Sequence, residues 1–294
     1  MKIGAIDIGS NSCRLLIAEL GESENLKPLA RAMETTRLGE GLSETKRLSK
    51  TAMDKTARCL ADFHNILKQM NVKQYRLVAT SAVREAENKD EFLDRLKNEL
   101  HLKVDVISGE REAQMSYAGV KKGLCISGPF VVVDLGGGST EFTWEYDEGM
   151  FVYSLKLGAV RAAESAMESG QAENILRSLY EHKRKLSGYH MVFVGGTATT
   201  LAAVKKKLKE YDYSEIHGQI LTKNELWELY KCLKSLSPEQ KKRLPGLQPE
   251  RADIIVSGAM IVCSVVEFFE KELIQVSESD ILEGIIWASV DNRL

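Results

Sequence analysis

Short apolar runs alternate along the chain with longer stretches whose apolar residues recur at helical spacing. Residues 3–8 and 14–20 are apolar runs joined by a glycine turn, which predicts a β-hairpin. Ser49 stands at an N-cap position, so the helix that follows should begin there and end near residue 71. Further strands are predicted over residues 26–34, 75–79 and 104–107, and further helices over 90–100 and 110–123. Strands mixed with amphipathic helices predict an α/β fold.

The second part of the chain has the same alternation. Strands are predicted over residues 130–135, 140–144, 151–156, 191–194 and 273–276. Helices are predicted from about 160 to 188, from Gly195-Gly196-Thr197 to the lysine run 205–209, over 223–236 and 251–269, and from about 280.

A repeat links the two parts. Asp134-Leu135-Gly136 follows Asp7-Ile8-Gly9 by 127 positions, and the same offset places Ser139 on Ser12. A repeat of domain size indicates duplication, although two unrelated glycine turns could also match by coincidence. We expect domains over residues 1–121 and 122–278 with a cleft between them, a hinge near residues 119–123, and a helix over 279–294 packing back on the first domain.

Length, charge and cysteine content narrow the class of protein. A chain of 294 residues favours two domains, and a net charge of −2 gives no general attraction for DNA or for an anionic membrane. The five cysteines form no Cys-x-x-Cys pair, and no secretion signal or membrane-spanning stretch is evident. We therefore expect a cytoplasmic protein with reduced thiols; a homodimer is left open as the commonest assembly.

The two glycine turns are candidate phosphate-binding loops. Glycine lets backbone amides approach an anion, hydroxyl groups add donors, and arginine adds a planar cation. The candidates are Gly9, Ser10, Asn11, Ser12 and Arg14 in the first turn and Gly136, Gly137, Gly138, Ser139 and Thr140 in the second. Each turn alone could equally be an ordinary tight hairpin.

Carboxylates flank these turns. Asp7 and Asp134 are placed to hold Mg²⁺, a hard cation that prefers oxygen ligands, and Glu141 could share the ion. The alternative is that these carboxylates only accept hydrogen bonds from turn amides.

Several segments together resemble the exopolyphosphatase and guanosine pentaphosphate phosphohydrolase family. They are Asp7-Ile-Gly-Ser-Asn-Ser-Cys-Arg14, Arg37-Leu-Gly-Glu-Gly41, Ala79-Thr-Ser-Ala-Val-Arg-Glu-Ala86, Ile107-Ser-Gly-Glu-Arg-Glu-Ala113, Val133-Asp-Leu-Gly-Gly-Gly-Ser-Thr-Glu141, Gly195-Gly-Thr-Ala-Thr-Thr-Leu-Ala202, Ile216-His-Gly218 and Arg251-Ala-Asp-Ile-Ile255. The resemblance implies two duplicated actin-like domains, of the class shared by actin, sugar kinases and heat-shock chaperones.

The resemblance also implies roles for particular residues. Glu112 matches the family's catalytic glutamate, Arg84 matches an arginine expected at the substrate, and Gly196 lies in a glycine segment suited to phosphate. From the residues alone, Glu112 would be a first-turn helix residue and Arg84 would form a surface ion pair with Glu87.

These expectations converge on a magnesium-dependent hydrolase that releases the terminal phosphate of inorganic polyphosphate or of the 5′ end of guanosine pentaphosphate. Two alternatives stay open: an ATP-dependent kinase of the same fold, and a noncatalytic polyphosphate or alarmone sensor. Longer family members carry extra helical domains, so processive action on long chains is left open here. Three other features have structural interpretations: the lysine run as a solvated helix end, Cys13 as a buried thiol and His217 as a structural histidine.

Overall fold

The computed structural model describes residues 1–21, 25–146 and 149–290. These residues form two units. Unit 1 contains Met1–Gly119 and the C-terminal segment that begins at Asp280, and unit 2 contains Val120–Ser279. Each unit is built on one β-sheet.

The strands, in chain order, are β1 (Lys2–Ile8), β2 (Ser12–Leu20), β3 (Leu26–Thr35), β4 (Gln74–Ala79), β5 (Val104–Val106), β6 (Phe130–Leu135), β7 (Thr140–Tyr146), β8 (Gly149–Leu155), β9 (His190–Val194), β10 (Ile220–Thr222) and β11 (Leu273–Val276). The helices are α1 (Leu42–Thr45), α2 (Lys50–Gln69), α3 (Ser81–Glu85), α4 (Lys89–Leu100), α5 (Gly109–Gly123), α6 (Ala159–Glu164), α7 (Ser169–Leu176), α8 (Tyr180–Leu186), α9 (Gly196–Lys206), α10 (Tyr213–Ile216), α11 (Lys223–Ser235), α12 (Pro238–Lys242), α13 (Ile255–Phe268) and α14 (Ile281–Val290). Single 3₁₀ turns lie at Arg177–Leu179 and Pro249–Arg251.

The two sheets repeat one topology. In unit 1 the strand order is β3-β2-β1-β4-β5, and in unit 2 it is β8-β7-β6-β9-β11, with β10 added at the edge. In both sheets the first three strands form an antiparallel meander. The fourth strand then pairs parallel with the first, and the fifth pairs parallel with the fourth. The duplication predicted from the 127-residue repeat is therefore confirmed.

The first strand of unit 1 is apolar apart from Lys2 and Asp7 because both of its faces are buried. Ile6 and Ile8 pack with residues of α2 and α4, whereas Ile3 and Ala5 pack with residues of α14 and with Met115 of α5. Strands buried on both faces read as continuous apolar runs rather than as alternating patterns. This arrangement places Asp7 at the end of a rigid central strand.

Two predicted helices differ from the structure. The continuous helix predicted over residues 160–188 is wrong: α6, α7 and α8 replace it. Ala166 adopts a left-handed conformation (φ 47°), and a capping box between Glu168 and Gln171 starts α7. The helix predicted from Arg251 begins instead at Ile255, after the 3₁₀ turn.

The Ser49 N-cap is confirmed, since its side chain accepts a hydrogen bond from the amide of Ala52. Within residues 1–21, 25–146 and 149–290, every helix is too short or too polar to cross a membrane.

Candidate functional site

The two glycine turns share one closing hydrogen bond. In unit 1 the amide of Gly9 donates to the carbonyl of Ser12 (3.1 Å), and in unit 2 the amide of Gly136 donates to the carbonyl of Ser139 (3.0 Å). A Cβ at Gly9 would lie 2.9 Å from the Ser12 carbonyl oxygen, so the turn requires glycine there. The sequence repeat therefore extends to the backbone geometry of the turns.

A segment after β3, residues 37–39, holds the glycine turn of unit 1 in place through hydrogen bonds. The amide of Arg37 donates to the carbonyl of Asn11, and the amide of Gly39 donates to the carbonyl of Ser10, both at 2.8 Å. The hydroxyl groups of Ser10 and Ser81 are also 2.8 Å apart. These bonds engage carbonyl oxygens that would repel an anion, which suits a loop that presents its amides to phosphate.

The turn of unit 2 is supported in the same way by the start of α6. The amide of Ala159 donates to the carbonyl of Gly136 (3.0 Å), and the amide of Val160 donates to the carbonyl of Gly137 (2.9 Å). A Cβ at Gly158 would lie 2.5 Å from the carbonyl carbons of both Gly137 and Gly138. In each unit the supporting segment follows the third strand of the meander.

Thr140 was predicted to bind phosphate, but its hydroxyl is already bonded to the protein backbone. It is fully buried, and its hydroxyl donates to the carbonyl of Leu157. Asn11, in contrast, is exposed at the turn of unit 1.

Asp7 and Arg14 are paired across the β1/β2 ladder. Arg14 donates from Nη2 (2.7 Å) and Nε (3.0 Å) to Oδ2 of Asp7, and from Nη1 to Asp280. The Arg14 guanidinium, which was predicted to bind phosphate, therefore already donates hydrogen bonds to two carboxylates. Oδ1 of Asp7 is buried and has no hydrogen-bond partner in the described residues. Burial raises the pKa of Asp7, and the Arg14 charge opposes that increase.

The equivalent pair in unit 2 consists of two carboxylates. Asp134 and Glu141 lie opposite each other on β6 and β7, as Asp7 and Arg14 do on β1 and β2. Ser154 donates to Oε1 of Glu141 (2.7 Å), and a Cβ at Gly195 would lie 3.1 Å from Oδ1 of Asp134. Two like charges on opposite residues of a ladder destabilise the pair unless a cation or donors neutralise them.

Carboxylate oxygens are the type of ligand that Mg²⁺ prefers. Mg²⁺ usually binds one or two protein carboxylates and keeps water or substrate phosphate as its other ligands. The described parts of the chain contain no cluster of three or more His, Cys, Asp or Glu side chains that could hold a metal ion. Within unit 1 the candidate ligand is the unpartnered Oδ1 of Asp7, and within unit 2 it is the facing pair Asp134 and Glu141.

Glu112 and Arg84 form an ion pair in unit 1. Nη1 of Arg84 donates to Oε2 of Glu112 (3.1 Å) and to the carbonyl of Ile107 (2.9 Å). The alternative prediction, a surface ion pair between Arg84 and Glu87, is wrong, because Arg84 pairs with Glu112. The side chains of Arg84 and Glu112 are 29% and 34% exposed, so water can reach both. Glu112 thus faces a guanidinium group at the first turn of α5.

Arg251 is a candidate that the site prediction missed. Its guanidinium lies against Gly196, where an added Cβ would overlap it, at the N-terminus of α9. Its Nε donates to Oε1 of Gln248 (3.1 Å), and burial lowers its pKa. The signal was present in the segment Arg251–Ile255, but sequence alone did not connect that segment with Gly196.

The remaining features are structural, as interpreted. Cys13 is fully buried, with its Sγ 3.7 Å from the hydroxyl of Thr36. Nε2 of His217 donates to the carbonyl of Gly123 (3.0 Å), and its Nδ1 accepts from the amide of Glu278 (3.2 Å). In the lysine run, Lys205 and Lys206 form ion pairs with glutamates, as a solvated helix end does.

The model of the Ppx/GppA phosphatase family matches residues 16–293 of the chain. The chain belongs to this family. The family resemblance predicted from the motifs is thereby confirmed.

Relatives of this Ppx/GppA chain differ in length. Exopolyphosphatase 2 of Mycobacterium tuberculosis is 33% identical over 97% of this chain and 97% of its own length. The bifunctional 3-dehydroquinate synthase/phosphatase of Fusobacterium nucleatum is also 33% identical over 98% of this chain, which spans only 46% of that protein. The guanosine-5′-triphosphate,3′-diphosphate pyrophosphatase of Vibrio parahaemolyticus is 30% identical, and the chain spans 59% of it.

Solved structures of the Ppx/GppA family have the same fold. The crystal structure of the Aquifex aeolicus family member matches with a TM-score of 0.85 and 31% identity, over 100% of this chain and 98% of that one. An exopolyphosphatase from Cytophaga hutchinsonii matches with the same TM-score at 24% identity, over 99% of this chain and 98% of that one. The predicted α/β fold of two duplicated units is confirmed by this likeness and by the repeated strand order.

Proposed function

We propose that this protein hydrolyses a terminal phosphoanhydride bond and releases orthophosphate from inorganic polyphosphate or from the 5′ end of guanosine pentaphosphate. Family membership supports the reaction class. Inorganic polyphosphate is the first choice of substrate, because the relative that matches over nearly its whole length is named an exopolyphosphatase.

The ion pair of Glu112 with Arg84 carries this proposal. A general base must be ionised, reachable by water and fixed in position. The 3.1 Å bond from Arg84 meets the first and third conditions, and partial exposure of both side chains meets the second. Glu112 accepts a proton from water as the water oxygen attacks the terminal phosphorus, and the bond to the bridging oxygen breaks. The products are orthophosphate and a chain one phosphate shorter, without a phosphoenzyme.

The glycine turns supply the electrostatic part of the mechanism. Charge on the equatorial phosphate oxygens is stabilised by donors that are already oriented before the reaction. The turns at Gly9–Ser12 and Gly136–Ser139 meet this requirement because other segments hold them in position. Asp7 in unit 1, and Asp134 with Glu141 in unit 2, would each offer oxygen ligands to Mg²⁺, which when bound would neutralise negative charge on the phosphates.

The decisive experiment compares Glu112→Gln with Glu110→Gln. Both glutamates lie in the first turn of α5, so the control loses a charge of the same sign at the same helix end. We expect Glu112→Gln to lower the rate of phosphate release by roughly 10² to 10⁴-fold, the usual contribution of a general base. Glu110→Gln should keep the wild-type rate. Equal rates for Glu112→Gln and the wild type would remove Glu112 from the mechanism.

The substrate is identified by measuring phosphate release from short polyphosphate, long polyphosphate and guanosine pentaphosphate, with and without Mg²⁺. Faster release from either polyphosphate than from guanosine pentaphosphate supports the first choice. Binding of polyphosphate without any release in the presence of Mg²⁺ would instead identify a sensor. Phosphate transfer from ATP to a hydroxyl acceptor would identify a kinase.

A further inference from the structure

The two arginines predicted for phosphate binding are already neutralised by carboxylates. Arg14 is bonded to Asp7 and Asp280, and Arg84 is bonded to Glu112. A phosphate chain carries negative charge on every unit, so its binding requires cations that are not already paired. The two arginines predicted for phosphate binding therefore supply little net positive charge to a bound chain.

Arg161 of α6 differs from these two arginines because its side chain is bonded to a backbone carbonyl and not to a carboxylate. Its Nε donates to the carbonyl of Gly138 (2.9 Å), so the side chain lies along the glycine turn of unit 2. Nη2 would be 3.8 Å from a Cβ at Gly138, which places the end of the guanidinium beside that residue. Among the described residues, Arg161 forms no salt bridge, and neither Nη1 nor Nη2 has a hydrogen-bond partner.

The backbone amides of residues 159–161 donate hydrogen bonds to the glycine turn of unit 2. The amide of Arg161 donates to the carbonyl of Gly137 (3.1 Å), next to the bonds from Ala159 and Val160. With Nε also bonded to Gly138, the guanidinium is fixed at Nε, and the residue as a whole is exposed. The four N–H groups on Nη1 and Nη2 remain, in the planar geometry that binds two oxygens of one phosphate.

We propose that Arg161 is a substrate-binding residue that donates from Nη1 and Nη2 to a phosphate group held at the turn Gly136–Thr140. The inference rests on the proposed function, because it assumes that this turn binds the phosphate chain of the substrate. Its charge is balanced by the substrate rather than by a protein carboxylate. Neither the motifs nor the family resemblance assigned Arg161 to the site.

Binding of inorganic tripolyphosphate, measured by calorimetry on the full chain, tests this role separately from catalysis. The variants are Arg161→Ala, Arg161→Lys and the control Arg184→Ala, which removes another exposed arginine of unit 2. We expect Arg161→Ala to weaken binding roughly tenfold or more, the usual effect of losing hydrogen bonds to a charged group. Arg161→Lys should weaken it less, since the charge remains, and Arg184→Ala should bind like the wild type.

Salt dependence distinguishes substrate binding from mere support of the turn. If Arg161 contacts phosphate, the slope of log Kd against log salt concentration should fall by roughly one for Arg161→Ala and stay near the wild-type value for Arg161→Lys. Equal weakening by both variants with an unchanged slope would overturn the proposal, because it would mean that only the bond to Gly138 matters. So would an affinity of Arg161→Ala within twofold of the wild type.

The two proposals fail in different ways. If the wild type binds tripolyphosphate but releases no phosphate in the presence of Mg²⁺, the hydrolase proposal fails and the binding comparison still decides the role of Arg161. If the wild type releases phosphate and all variants bind equally, Arg161 is excluded and the hydrolase proposal stands. If the wild type binds no tripolyphosphate, the role of Arg161 is overturned directly.

Discussion

Replacing Gly158 with alanine should disturb the glycine turn of unit 2 without removing any polar group. A Cβ at this position would lie 2.5 Å from the carbonyl carbons of Gly137 and Gly138. Gly158 itself has an extended backbone (φ −140°), so alanine is compatible with the local conformation. The only unfavourable effect is the steric overlap between the new Cβ and the turn. The turn or the start of α6 must therefore move.

The size of the effect follows from that distance. Non-bonded carbon atoms pack at about 3.5–4.0 Å, so the backbone of the turn must shift by about 1 Å to accept the new methyl group. Overpacking of this kind costs roughly 1–3 kcal/mol of unfolding free energy. A displacement of about 1 Å at a substrate-positioning group can lower activity by about 100-fold. We expect both losses in Gly158→Ala.

The assay combines urea denaturation with phosphate release from short polyphosphate. Gly170→Ala is the matched control, because a Cβ at Gly170 would meet no atom within 4 Å. Gly170 lies in α7, where alanine should leave stability unchanged or raise it by up to about 1 kcal/mol. If Gly158→Ala matched the wild type in both measurements, the supporting role of α6 would be refuted. A loss of stability with full activity would show that the turn is not part of the active site.

Two further predictions concern stability. Burial raises the pKa of Glu283 above its ordinary value of 4.5, against the opposing charge of Arg31, so its contribution to the free energy of unfolding is largest below pH 4.5 and is lost as the pH rises through the folded-state pKa. In urea denaturation, the unfolding free energy of the wild type should therefore fall relative to that of Glu283→Gln as the pH rises above 4.5. A difference between the two proteins that does not change with pH would contradict this. Thr222→Ala should cost about 1 kcal/mol, because Thr222 forms a capping box with Glu225 at the start of α11; retention of wild-type stability in thermal unfolding would show that the cap contributes little.

Much of the fold could be predicted from the sequence because strand patterns and glycine turns are local. The strand Phe130–Leu135 and the strand Leu273–Val276 were predicted to the residue. The duplication was also visible, since the repeat places an aspartate, a glycine and a serine at one offset. The break in the helix predicted over residues 160–188 was missed because the apolar spacing continues across it while Ala166 reverses the backbone.

The charge state of the candidate site was decided by the tertiary structure. Arg14 pairs with Asp280, which is 266 positions away, and Arg84 pairs with Glu112 rather than with nearby Glu87. The segments that support the two turns, and the contact of Arg251 with Gly196, likewise join distant parts of the chain. Residue types and spacing indicate which groups can bind phosphate or metal. Which cations are already neutralised depends on the side chains that folding brings within a few ångströms, because electrostatic interactions act through space and not along the sequence.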